Sequence, residues 1–470
     1  MNDNQTKSEV FELKRQIPVE DGYDVIVAGG GPSGCAAAIS AARLGARVLL
    51  VEALGCLGGA GTSGLVTNMG ELGRRGKMLL GGFMYELAET LRERGYLTGK
   101  NPSDRFETCY FEWQPFDPEG LKLVLDEFME KAGVEVRFFT RVIDADCDPD
   151  SLHVNGVVLS NIEGYKFVKA KAYIDCTGDA ILAEKCGVEF DVPKPAMAPT
   201  LMATLYGVNW KEIEESIDGG QIKDQRPIIL KAVDNDEYPF TFKDKHIPGI
   251  FMGAGNTASL NAGHIFNMDA LNCRSLSDGM VLGRKLVQEY LDFFKTFFKE
   301  YRDLQLVTTA PMMGVRDSRR IIGEYILDME DYLDKRKFHD QICLNAQNMD
   351  LHVKNTSKEE YDRFTKEFFQ AFTYGPGDYF GIPYGVLVPK GSQNLWVAGR
   401  IVSCDESVHS SIRMMSVCYT TGQAAGTAAV QAIRYNQTAC NLNTKMLIET
   451  LRENGANLPQ ETLSESMSRK

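Results

Sequence analysis

The period of the apolar positions changes several times along the chain, and each change marks an element. Val25, Ile26 and Val27 form an unbroken apolar run, the pattern of a parallel strand buried on both faces. Over residues 33–44 the apolar positions become small (Ala36, Ala37, Ala38, Ala41, Ala42), which predicts a helix able to lie close to a sheet. Residues 47–51 read as the return strand, ending at Glu52. Helical periodicity follows over 86–94 and 120–131, and alternation over 133–138 predicts a strand. Between 154 and 174 short β runs are separated by Asn155-Gly156 and Glu163-Gly164, both hairpin signals, and the last run ends in the glycine–acid turn Asp175-Cys176-Thr177-Gly178-Asp179.

From Pro193 the pattern shifts to long amphipathic helices and loops. Residues 277–302 carry Leu282, Leu286, Tyr290, Phe293, Phe294, Phe297 and Phe298 near helical spacing, an aromatic face that reads as core. The run from Gly253 to Ala258 has the letters of a glycine fingerprint but lacks a helix after it, so it is set aside as a nucleotide site. α/β character returns at 384–390 and in a strand at 394–400. A helix over 410–434 then repeats the small-residue pattern with Gly422, Ala424, Ala425, Gly426, Ala428 and Ala429. The expected fold is therefore α/β, with a Rossmann-type domain built from both ends of the chain and an inserted α+β substrate cap. The expected boundaries are a tail at 1–20, the first part of the nucleotide domain at 21–192, the cap at 193–374, the second part at 375–436 and a tail at 437–470.

The turn between the first strand and helix is Gly29-x-Gly31-x-x-Gly34. In such a turn the first glycine permits the bend, the second admits a pyrophosphate and the third lets helix and strand pack, with the helix N-terminus aimed at the phosphates. Pro32 and Ser33 complete this candidate binding turn, and Glu52 stands where a ribose hydroxyl acceptor belongs. A second glycine stretch follows from Gly55 to Gly64. A nicotinamide domain does not need it, whereas a cofactor that continues past its pyrophosphate to an isoalloxazine does, so FAD is the expected cofactor.

Composition narrows the partners. The formal charge of −13, from 51 basic and 64 acidic residues, argues against a general nucleic-acid surface, so an anionic substrate would need a local arginine pocket. The 11 cysteines contain no C-x-x-C pair, which gives no zinc or iron–sulfur spacing and no expected metal, and reads as reduced cytoplasmic thiols. No segment approaches the apolar length of a membrane span. The expected partner is a small molecule bearing a carboxylate or carbonyl, with a homo-oligomer left open.

Taken together, VAGGGPSGCAAA, GCLGGAGTSGL, DCTGD, GVRDSRRIIGEY and NLWVAGRIVSCDESVHSSIRMMSVCYTTGQAAGTAA resemble the FAD-dependent oxidoreductase family, distantly similar to the flavoproteins of fumarate reductase and succinate dehydrogenase. The resemblance runs from about residue 24 to 433. It implies that Gly58, Gly59 and Thr62 lie by the ribityl chain and flavin, that Val142 meets the adenine through its backbone, and that Gly178 and Asp179 flank the pyrophosphate. It also implies that Gly399 and Arg400 border the ribityl side and that a helix starting near Gly422 points at the flavin. No histidine stands near the second glycine cluster for covalent attachment, and Cys56 is the nearby alternative.

Two further groups are candidates for chemistry. Arg316, Arg319 and Arg320 cluster in a chain of net negative charge, and Arg316 and Arg320 are candidate ligands for a carboxylate. Glu406, His409 and Arg413 stand at i, i+3 and i+7, on one face if helical. The expectation is His409 as general acid/base, Arg413 as orienting group and Glu406 as partner of the histidine. The function expected is hydride transfer between a small organic substrate and flavin N5. The alternatives are a redox-neutral or structural FAD protein and a nicotinamide-dependent dehydrogenase.

Overall fold

The computed structural model describes residues 11–74, 77–97, 115–218, 220–370, 374–375 and 377–460. Its central strand is β1 (Val19–Ala28), whose Val25, Ile26 and Val27 are fully buried. The chain continues through α1 (Pro32–Arg43), β2 (Val48–Val51), α2 (Gly82–Glu93), α3 (Pro118–Ala132), β3 (Glu135–Arg137), β4 (Arg141–Asp148), β5 (His153–Asn161) and β6 (Gly164–Asp175). Much later come β11 (Leu395–Val397), α6 (Glu406–Ile412), α7 (Met415–Tyr435) and α8 (Thr444–Glu453). The sheet order is β3-β2-β1-β6-β5-β4, with β11 added on β6. β3, β2, β1, β6 and β11 are mutually parallel, and β5 and β4 pair antiparallel. This is the expected α/β architecture, and β11 brings the late part of the chain into the same sheet as β1.

Close approach of two helices locks that arrangement. A Cβ on Gly422 of α7 would meet the Ser33 carbonyl at 2.0 Å, and one on Gly426 would meet the Ala37 carbonyl at 2.2 Å. Only glycine allows these backbones to touch.

A second core lies between. β7 (Ala203–Tyr206), β8 (Gly249–Met252), β9 (Thr257–Asn261) and β10 (Gln305–Thr309) form an antiparallel sheet in the order β8-β9-β7-β10. The long helix α4 (Cys273–Phe297) is capped by the Asn272 side chain and buries Tyr290, Phe293 and Phe294 in the core of this unit, as its periodicity predicts. The glycine run at 253–258 covers the turn of the antiparallel β8–β9 hairpin and the first two residues of β9, and is not a nucleotide turn. A further helix, α5, spans Lys358–Gln370.

Three local expectations are corrected. Asn155-Gly156 lies inside β5, and the hairpin turn is at 162–163; Gly156 is there for room, since a Cβ would meet the Phe167 ring at 2.3 Å. The helix expected over 410–434 is two helices, because Met414 is extended (ψ 143°) between α6 and α7. The segment expected as a C-terminal tail contains α8, which buries Leu447, Ile448 and Leu451, and the Gly455 carbonyl accepts the Gly82 N–H at 2.7 Å.

Candidate functional site

A cavity of about 590 Å³ runs along the carboxyl ends of β1 and β2 and continues to the antiparallel unit. Its wall includes Gly29, Gly31, Pro32, Ser33 and Glu52 at one end and Arg316, His352 and Arg413 among its other residues. The N-cap of α1 is Gly31, with Pro32 in the first turn and no side-chain cap, so its first backbone N–H groups are free for an anion. A Cβ on Gly31 would meet nothing within 4 Å: the space beside it is the cavity itself. Gly29, by contrast, has φ +97° and a Cβ there would lie 2.5 Å from the Cys176 carbonyl, while one on Gly34 would lie 1.8 Å from the Gly29 carbonyl. The first and third glycines are thus set by packing and the second by open space, which is the cradle a pyrophosphate requires.

Glu52 is buried at the cavity edge, accepting the Gly30 N–H at 2.6 Å and the Leu54 N–H at 2.7 Å. Each oxygen keeps a lone pair for a hydroxyl. Val142, Gly59, Gly178, Asp179 and Arg400 also stand on the wall. Arg400 clasps the glycine–acid turn, its Nε donating to the Gly178 carbonyl at 2.8 Å and its Nη2 to Asp179 Oδ1 at 2.7 Å, with Nη1 donating to the Val315 carbonyl. α7, which has no side-chain cap, begins on the wall at Met414 and Met415. A second helix N-terminus therefore faces the cavity, and Gly422, expected near the start of that helix, is two turns inside it against Ser33.

Other expected site residues sit off the wall. Gly58 and Thr62 shape the second glycine loop: Gly58 N–H donates to the Gly30 carbonyl at 2.8 Å and the Thr62 hydroxyl to the Leu57 carbonyl at 2.5 Å. Gly399 (φ +83°) packs on the Ser33 side chain, and Cys56 Sγ lies 3.2 Å from Ser63 Oγ. Arg320 is buried in an ion pair with Asp191, which takes it out of substrate binding, and Arg319 Nη1 donates to the Asp179 carbonyl at 3.0 Å. Of the three arginines, Arg316 alone reaches the cavity.

The histidine assignment is corrected as well. His409 is fully buried, and its Nε2–H donates to the Arg400 carbonyl at 2.7 Å, within the domain and away from the wall. Burial, then the Arg320 and Arg413 charges, hold it well below the usual histidine range, and its place off the cavity wall removes it from contact with a ligand there. Glu406 pairs with Lys354 at 2.6 Å and not with His409. Arg413 does reach the cavity, where its Nη2 donates to the Asp350 carbonyl at 2.7 Å and to Asp350 Oδ2 at 2.9 Å.

Arg316 is the electrostatic anomaly of the site. It is buried, donates through Nη1 to the Ala198 carbonyl at 2.5 Å and to Thr200 Oγ1 at 3.1 Å, and makes no ion pair among the described residues. Burial, then the nearby Arg413 charge, brings its guanidinium down to about 9. Beside these arginines lies a polar cluster that sequence reading missed: Asp244, His246, His264, Asp350 and His352. The loop before β8, the segment after β9 and the stretch before α5 bring these residues together, so no sequence spacing announces them.

A glycine turn and a second helix N-terminus thus face one extended cavity. The chain matches the FAD dependent oxidoreductase family over residues 24–453 and belongs to it. It is accordingly an FAD enzyme, and the reading of a chain working with a nicotinamide alone is set aside. Among curated proteins it is similar to the dihydrolipoyl dehydrogenase of Trypanosoma brucei brucei, 52% identical over 47 residues, which is 10% of each chain. Among solved structures it is similar to a geranylgeranyl bacteriochlorophyll reductase-like protein from Thermoplasma acidophilum, with TM-score 0.46, 13% identity and coverage of 93% of this chain and 83% of that one. A myxobacterial chondrochloren halogenase, a variant of FAD-dependent halogenases, gives TM-score 0.44, 15% identity and coverage of 93% and 79%. Among the described residues no helix is long and apolar enough to cross a membrane.

Proposed function

We propose that this enzyme moves a hydride between flavin N5 and a small organic substrate bearing a carboxylate or an equivalent anionic group. The observation that supports this most strongly is Arg316: a buried guanidinium on a cavity wall with no ion-pair partner among the described residues. An isolated charge is expensive to bury, and an arriving carboxylate would supply the missing counter-ion. Arg413, already oriented by Asp350, would be its second ligand.

In this reading Gly29, Gly31, Pro32, Ser33 and Gly34 hold the pyrophosphate with Gly178 and Asp179. Glu52 accepts from the adenosine ribose, the backbone at Val142 meets the adenine, and Gly59 and Arg400 border the ribityl chain. Gly58, Thr62, Gly399 and Gly422 act one layer back, by setting loop and helix positions. Bound FAD supplies the hydride acceptor or donor. The N-terminus of α7 adds a positive potential that favours negative charge near it. The unit between the two halves of the nucleotide domain, residues 193–374, serves as the substrate cap. A cytoplasmic location fits the ten described cysteines, all of them free thiols.

The test is anaerobic bleaching of the FAD-loaded protein by a panel of small 2-hydroxy acids and matched neutral alcohols, with oxidised enoates offered to the reduced enzyme. Reaction confined to carboxylates supports the assignment; equal reaction with the neutral alcohols removes the anion from it. A redox-neutral role would show as no bleaching and no reoxidation by any member.

A further inference from the structure

A hydrogen-bonded chain leads from the cavity wall into the antiparallel unit. His352, 3% exposed, stands on the wall with Nε2 3.3 Å from Asp350 Oδ2. Its Nδ1 is 2.8 Å from Nε2 of His264, and Nδ1 of His264 is 2.6 Å from Asp244 Oδ2. Asp244 is completely buried, and its other oxygen accepts the His246 N–H at 2.8 Å and the Tyr361 hydroxyl at 2.9 Å. Tyr361 is in α5, and its own oxygen accepts the Lys245 N–H at 2.7 Å.

The proton positions follow from the end of this chain. Asp244 accepts the His246 N–H and the Tyr361 hydroxyl; burial pushes its carboxyl up, but His264 and the His246 N–H outweigh this and hold it below the usual carboxylate range, so it is the anion. Nδ1 of His264 must then carry a proton. Two arrangements satisfy the link to His352. In one, His352 donates from Nδ1 to a neutral His264, and Nε2 of His352 presents a bare lone pair beside the Asp350 carboxylate. In the other, one proton richer, His264 is an imidazolium held by Asp244 and donates to Nδ1 of His352, whose Nε2–H now points at Asp350. The two differ by one proton, gained at the cavity face and stored one ring deeper.

We propose that His352 is the proton-transfer residue at the substrate and that His264 and Asp244 are positioning residues that carry the proton away from it. This rests on the reading of the Arg316 and Arg413 end of the cavity as the substrate's. In oxidation of a hydroxyl, the O–H bond breaks as N–H forms at Nε2 of His352, and Nδ1–H of His352 breaks as Nε2–H of His264 forms. Bound FAD would supply the acceptor for the C–H hydrogen and its electron pair as C=O forms. The reverse order delivers the proton in a reduction. The groups facing His352 are Asp350, Arg316, Arg413, His246 and His264; burial, then the Arg316 charge, holds its ring well below the usual histidine range, so a proton taken at Nε2 is passed on toward Asp244, with Tyr361 behind it. His246 stacks on His352 at 4.6 Å between centroids, and its buried Nδ1 has no partner. Because ring nitrogens of His246, His264 and His352 lie within 4.8 Å of one another, a transition metal is the rival occupant.

The test uses the FAD-loaded full chain labelled with 15N-histidine, so that ring-nitrogen shifts report tautomer and charge between about pH 5 and about pH 9. The expected result is one coupled step in which His264 gains its second proton while His352 changes from the Nδ1–H to the Nε2–H form. In Asp244→Asn the two rings should no longer change together. Fixed tautomers throughout, independent steps, or a stoichiometric metal whose removal alters these shifts would each overturn the proposal. A kinetic arm uses whichever of glycolate, lactate and malate bleaches the flavin fastest. His352→Gln should slow bleaching by about a hundredfold or more with little change in saturation, and His264→Gln should shift the pH profile; an unchanged rate in His352→Gln refutes the role. If none of the three acids bleaches the flavin, the substrate reading fails while the NMR result still decides the relay.

Discussion

The backbone of Gly422 lies against the carbonyl of Ser33 so closely that a methyl group on the glycine would stand 2.0 Å from that oxygen. Ser33 lies in the first turn of α1, on the cavity wall, and Gly422 lies in α7, whose own N-terminus faces the same cavity. The contact therefore sets the spacing of two helix N-termini on the cavity wall. Gly422→Ala is expected to destabilise the protein by about 1–3 kcal/mol through overpacking, and to weaken FAD in parallel. Thermal melts with and without added FAD check this, and a variant with wild-type melting would show that the helices have room to separate.

Gly31 and Gly34 should behave oppositely although they belong to one turn. Gly31→Val puts its side chain into open space, so the apoprotein should melt as wild type while FAD affinity falls by about a hundredfold or more, equivalent to roughly 3 kcal/mol. Gly34→Ala places a Cβ on the Gly29 carbonyl and should lower the melting temperature even without cofactor. Fluorescence titration with FAD and calorimetry of the apoprotein separate the two.

Acid sensitivity has a mapped source at the edge of the main sheet. Arg137 Nη1 donates to Glu20 Oε2 at 3.0 Å, tying β3 to the start of β1, and this bonding holds the Glu20 carboxyl at about 2. A depressed carboxylate stabilises the fold above its ordinary range and loses that contribution as pH falls from about 4.5 to about 2. Glu20→Gln should therefore be less stable than wild type at neutral pH, by roughly 1 kcal/mol or less for a part-exposed pair. The two proteins should converge near pH 2. A gap that persists unchanged into acid would assign the effect to packing.

Much of this was legible in the residues because the nucleotide half is built from local signals. An apolar run, three glycines and a small-residue helix fall within one continuous stretch and predict β1, its turn and α1 without tertiary information. Gly156 shows the limit: its letters read as a turn, but its reason is the Phe167 ring on the neighbouring strand. His409 shows a second limit. Helical spacing correctly puts Glu406 and His409 in one helix, but spacing says nothing about which face meets the cavity, and the Arg400 carbonyl takes the ring. Arg316 and Arg320 are four residues apart in one basic cluster, yet Asp191 claims the second and leaves the first unpaired. Asp244, His264 and His352 come from separate loops, so only the fold brings them together.

The proposed chemistry depends most on Arg316 being an anion receptor on the cavity wall. The direct measurement is an oxalate titration of the FAD-loaded protein, following the perturbation of the flavin absorption bands, in wild type and in Arg316→Met. The expected result is saturable binding in wild type and an affinity at least about thirtyfold weaker in the variant, the low end of the roughly 2–5 kcal/mol lost with one partner of a buried charge pair. The melting temperature of Arg316→Met should be unchanged or raised, because an unpaired buried cation has been removed. Oxalate binding of equal strength in both proteins, or a variant that melts well below wild type, would contradict the account and make Arg316 a structural residue.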